Sequence, residues 1–74
     1  MKVGDVVMFV DEGRYKEYFY GKMGKVARSK VNQNGEQYIN VLWLHPVKYY
    51  DSYTESSSFN ANKFKLMIEI DEAS

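Results

Sequence analysis

The chain has no cysteine, a single proline, a single histidine and no net charge. Without cysteine there are no disulfides and no thiolate metal sites, so the fold must stand on apolar packing, and this usage suits a cytoplasmic location. The one histidine, His45, sits directly before Pro46. A lone histidine gives acid–base chemistry little to work with. No G-x-S-x-G nucleophile motif occurs, and no ligands have zinc or EF-hand spacing. Charged residues break every apolar window, so none approaches the about 18 residues that spanning a membrane requires. The opening MKVGDVVMFVDEG is interrupted by Gly4 and Asp5, with no small-residue cleavage site after it, and is not expected to be a signal peptide. These absences exclude the common enzyme classes and point to a soluble, non-catalytic domain with no cofactor, no metal and no small-molecule substrate.

Seventy-four residues make one small domain, and a chain of this size buries only about 60% of the surface its unfolded form exposes. The expected domain covers residues 1–70, with 71–74 as a disordered acidic tail. Zero net charge argues against attachment to nucleic acid by bulk electrostatics alone. The charge is nevertheless uneven. Arg14, Lys16, Lys22, Lys25, Arg28 and Lys30 face only Glu17 in the same stretch, while Glu69, Asp71 and Glu72 gather at the other end. Such asymmetry suits a local anion-facing patch on a neutral domain.

Seven tyrosines, four phenylalanines and one tryptophan are more than so small a core can hold. Some rings must therefore be exposed. Alternation selects Phe9, Trp43, Phe59 and Phe64 for the core and leaves Tyr15, Tyr18, Tyr49, Tyr50 and Tyr53 as candidates for the surface.

The segment VVMFV, Val6 to Val10, is β-branched and aromatic and follows a Gly-Asp turn, which predicts a strand. Asp11 to Tyr20 has no clean period and is expected to be a long loop pinned by aromatics. A strand resumes from Tyr20 towards Val31, and the Asn and Gly residues of NQNG (32–35) predict a hairpin turn. QYINVLWL, Gln37 to Leu44, is apolar on both faces, as a bent central strand with each face at least partly covered would be. Pro46 is expected to stop it. YTESSSF reads as an exposed edge strand, NANKF as one helical turn, and the alternation of Phe64, Leu66, Ile68 and Ile70 as a closing strand with one buried face.

Taken with these elements, the residues VGDVVMFV followed by an aromatic-bearing loop and YGKMGKV resemble the KOW motif of small Src-homology-3-like barrels in ribosomal proteins and NusG C-terminal-type transcription factors. The matching positions are Gly4, Asp5, Val7 and Phe9, then Tyr20, Gly24 and Val26. YTESSSF and NKFKLM are similar to the fourth strand, helical turn and fifth strand of such barrels, and Tudor and chromo-type barrels have comparable patterns. The resemblance implies an all-β, five-stranded barrel with a short helical turn before its last strand. It also implies binding of nucleic acid or of a transcription or translation complex.

Gly21 and Gly24 are accounted for by sharp bending and close backbone approach; the basic residues around them are not. The nucleic-acid candidates are therefore Arg14, Tyr15, Lys16, Tyr18, Lys22, Lys25, Arg28 and Lys30, with cations meeting phosphates and tyrosines stacking on bases. Tyr49, Tyr50 and Tyr53 are candidates for holding a peptide or protein loop. A third possibility is an accessory subunit that pairs through the edge around Thr54 to Phe59. A monomer with no membrane contact is expected in isolation.

Overall fold

The computed structural model describes residues 1–69. Its elements are β1 (Val6–Phe9), a one-turn helix α1 (Lys16–Phe19), β2 (Met23–Val31), β3 (Gln37–Tyr49), β4 (Ser52–Asn60), a 3₁₀ turn (Ala61–Lys63) and β5 (Phe64–Ile68). All five strands form one antiparallel sheet in the order β4-β3-β2-β1-β5. Three hairpin-type connections lay β1 to β4 side by side, and the 3₁₀ turn returns the chain so that β5 joins the free side of β1. The result is the small, barrel-like all-β arrangement expected from the strand pattern, with the short helical turn ahead of the last strand. Ile70 and the acidic segment 71–74 lie outside the described residues.

Alternation decides which side chains go inward. Val7 and Phe9 of β1, Val26 of β2, and Ile39, Val41 and Trp43 of β3 are all buried. Phe9 sits among rings, with centroids 5.7 Å from Phe19, 5.0 Å from Phe59 and 5.4 Å from Phe64. Tilted and edge-on contacts of this kind suit the ring quadrupole. Trp43 stacks on Phe19 at 5.3 Å and donates its indole N–H to Ser57 Oγ at 3.1 Å. Of the four rings expected in the core, Phe9, Trp43 and Phe64 are buried and Phe59 is half-buried against them. Phe19 joins them because residues 16–19 are helical rather than loop. One turn of helix swings its ring inward while Lys16 and Glu17 stay in water.

Local chemistry fixes the turns. Asp5 is buried, and its carboxylate accepts the Lys2 backbone N–H at 2.8 Å, closing the turn in which Gly4 takes a φ of 98°. At the β2–β3 connection Asn32 Oδ1 accepts from the backbone N–H groups of Asn34 (2.9 Å) and Glu36 (3.0 Å). Gly35 supplies the positive φ, 81°, that this turn needs.

Two further expectations are corrected. Pro46 does not end β3, which runs on to Tyr49. The β2 ladder stops at Trp43, and β4 pairing jumps from Leu42 to Val47, so the missing proline N–H falls where no ladder bond is required. The outward side of β3 is only partly covered: Tyr38, Leu42 and Leu44 are 42%, 51% and 55% exposed. In β5 only Phe64 is buried: Leu66, opposite the inward Val7, is still 40% exposed on this outermost strand, and the shift in pairing between Val6 and Val7 brings Ile68 opposite the outward Val6 and towards solvent.

Candidate nucleic-acid interface

Strand β2 carries the basic stretch, and its alternation sorts the residues. Gly24 and Val26 point inward, so Lys25 points outward, opposite Leu42 of β3 and Val6 of β1. A bulge at Ala27 then shifts the register, and Arg28 comes opposite Asn40 while Lys30 comes opposite Tyr38. Bulges re-aim side chains. Here the shift keeps three cations on one outer surface.

Around them lies a recess of about 200 Å³ lined by Arg28, Ser29, Lys30, Tyr38, Ile39, Asn40 and Ser58. Asn40 donates to Ser58 Oγ at 3.0 Å, which orients its amide on this surface. Lys25, Arg28 and Lys30 are exposed and make no ion pair among the described residues. Their charge is free for an external anion. Tyr38 and Asn40 were not among the residues singled out from the sequence. Counting outward from NQNG (32–35) would pair Lys30 with Gln37; the structure sets Asn32 opposite Glu36 instead, and that one-residue offset brings Tyr38 to Lys30.

The other candidates separate from this surface. Arg14 lies over the Tyr15 ring, 5.4 Å from its centroid. Lys16 pairs with Glu12 at 3.6 Å and stands 5.8 Å from the Tyr20 ring centre. Lys22, at the end of the loop, lines a different recess with Gly21, Met23, Leu44, His45 and Pro46.

The tyrosines regroup as well. Tyr15, just before α1, and Tyr18 within it meet Tyr49 and Tyr50 from the tip of the β3–β4 hairpin, with Tyr18 4.9 Å from Tyr49 and 5.2 Å from Tyr50, and Tyr49 4.5 Å from Tyr50. Rings assigned on sequence to two ligands thus form one cluster. Beside it runs a groove of about 340 Å³ lined by Tyr15, Phe19, Tyr49, Thr54, Ser57, Ser58 and Phe59. Tyr15, Tyr18 and Tyr49 are half-buried, and Tyr50 is exposed. Partial desolvation, reinforced by Tyr50, raises the Tyr18 and Tyr49 hydroxyls above the ordinary value of 10.0. Tyr53 stands apart, 69% exposed and opposite Lys48.

Tyr50 occupies the left-handed region at φ 57°, the first position of a two-residue turn between the paired Tyr49 and Ser52. Glycine is favoured there. A bulky residue held in that region is strained.

Among the described residues no group of three or more His, Cys, Asp and Glu side chains could hold a metal ion. No helix there is long and apolar enough to cross a membrane. Compared with family models, with curated proteins and with solved structures, the chain matches none.

Proposed function

We propose that this domain is a non-catalytic module that binds nucleic acid across the outward surface of β2 and β3. The observation that carries it is the outer pairing of Lys30 with Tyr38 and Arg28 with Asn40, with Lys25 one step along and no carboxylate neutralising any of the three. Cations that track a sugar-phosphate backbone beside an aromatic ring that can stack on a base are the recurrent chemistry of single-strand recognition. Asn40 adds a hydrogen-bonding amide for a base edge. Zero net charge keeps non-specific electrostatic attraction weak, so binding depends on this local surface. The KOW resemblance supports the same reading, with a transcription or translation complex as its setting.

Fluorescence anisotropy with a labelled 12-nucleotide single strand tests it. Arg28→Glu with Lys30→Glu abolishes binding, and raising salt weakens the wild type. Affinity unchanged in the double variant refutes the proposal.

A second reading is favoured by Tyr50. A strained, exposed tyrosine packed on Tyr18 and Tyr49 beside a groove suits recognition of a peptide or protein loop. Binding of that kind tolerates salt and fails on removal of Tyr49 and Tyr50 rather than Arg28 and Lys30.

A further inference from the structure

The outer surface of the sheet has a second half, which shares only Lys25 with the nucleic-acid proposal. Two cross-strand rows lie beyond the Arg28 and Lys30 pairs. The first runs Leu42–Lys25–Val6–Ile68 through four adjacent strands, and the second runs through Met23, Met8 and Lys65. Leu44 belongs to the second row, since it shares a recess with Met23.

Apart from Lys25 and Lys65, these side chains are apolar. Leu42, Leu44 and Ile68 are 51%, 55% and 61% exposed, and Val6, Met8 and Met23 are half-buried beside them. Adjacent strands lie about 4.8 Å apart, so four of them span roughly 14 Å. A contiguous apolar patch of this kind, rimmed by charge, is characteristic of a surface that meets a partner. The exposed positions come from β1, β2, β3 and β5, so the patch follows from the sheet register and not from one mobile loop.

The rim says what the partner carries. Lys22, Lys25 and Lys65 are exposed and have no ion pair among the described residues. No outward residue of the two rows is a carboxylate. Glu69, which follows Ile68, is held by Lys2 Nζ at 2.9 Å. The recess of about 320 Å³ formed by Gly21, Lys22, Met23, Leu44, His45 and Pro46 opens at this rim. It offers an apolar floor with a cation beside it.

We infer that this half of the sheet docks an acidic, amphipathic segment of another protein, placing an apolar side chain in the recess and carboxylates against Lys22 and Lys25. Charge complementarity selects this occupant over a second copy of the chain, which would bring the same lysines to the contact. It also goes beyond the nucleic-acid proposal, because Arg28, Lys30 and Tyr38 take no part. A domain with both halves occupied would join a nucleic-acid strand to an acidic partner.

Selection from a displayed library of random 16-residue peptides on the immobilised full chain tests the inference. Enriched peptides are expected to carry Asp or Glu beside Leu, Ile or Phe. Their capture should fall at least tenfold with Met23→Ser plus Leu44→Ser and with Lys22→Glu plus Lys25→Glu. Arg28→Glu plus Lys30→Glu should leave it unchanged, which separates this surface from the nucleic-acid one. The charge pair keeps the test decisive if the serine pair fails to fold. No enrichment, enrichment of peptides without acids, or capture that survives the charge pair would each overturn the inference. So would adsorption to vesicles of phosphatidylcholine with about one-third phosphatidylserine when no acidic peptide is captured, since the rim would then be reading lipid.

Discussion

Lys30 and Tyr38 face each other across the β2–β3 ladder on the outward side of the sheet. Neither strand position alone marks a site; the register produces it. A flexible cation and a 42% exposed ring held side by side can engage a phosphate and the base attached to it.

Tyr38→Ala therefore weakens single-strand binding by about 1–3 kcal/mol, the usual range for one lost stacking platform. The slope of affinity against salt should stay unchanged, because no cation is removed. Anisotropy titrations at several salt concentrations check both, and a reduced slope would mean that Tyr38 acts by positioning Lys30.

Gly24 has no room for a side chain. A Cβ there would meet Val41 Cγ1 and stand 2.7 Å from the Leu42 carbonyl oxygen, which is backbone and cannot swing away. Gly24→Ala should destabilise the fold by about 1–3 kcal/mol, the cost of overpacking a closed site. Chemical denaturation measures this, and an unchanged midpoint would show that β2 and β3 separate easily.

Tyr50→Gly is expected to raise stability by about 1 kcal/mol. The left-handed conformation costs a side-chain-bearing residue roughly 1–2 kcal/mol, whereas the ring given up is 64% exposed. A lower denaturation midpoint would instead make ring packing with Tyr49 and Tyr18 the larger effect. A stabilised variant would mean that tyrosine stands there at the expense of stability, as at binding sites.

Tyr18 and Tyr49 are raised in the folded state, so their neutral forms are favoured by folding. Their contribution to stability is fully present below about pH 10 and is lost as pH rises through the raised folded values. Absorbance near 295 nm should show a late-ionising fraction of the seven tyrosines. Tyr18→Phe with Tyr49→Phe should abolish that fraction; its persistence would assign the effect to other rings.

Where composition and turn chemistry act locally, the fold was legible in the sequence. NQNG marked the hairpin, alternation in VVMFV and in QYINVLWL sorted the residues into two faces, and the polar run YTESSSF marked an edge that β4 indeed forms. What failed depended on ladder partners. Pro46 looked like a terminator because its neighbours across the sheet could not be known, and they are absent at that position. Ile68 was expected on a buried face by its alternation with Phe64, but the side it takes is set by the shift in pairing with β1.

The candidate site was half legible. The basic residues of β2 were evident as charge, but the bulge at Ala27 that keeps Lys25, Arg28 and Lys30 together, and the partnership with Tyr38 and Asn40, are properties of pairing. Tyr15 and Tyr18 were grouped with the cations by closeness in sequence. Ring contacts assign them to Tyr49 and Tyr50 instead.

The most direct test is an amide chemical-shift titration of the labelled protein with short single-stranded and duplex oligonucleotides at low and physiological salt. Shifts gathered on residues 25–30 and 38–40, larger with single strands and fading with salt, are the predicted result. No shifts there at either salt would contradict the nucleic-acid proposal and leave the β2–β3 surface as solvated charge.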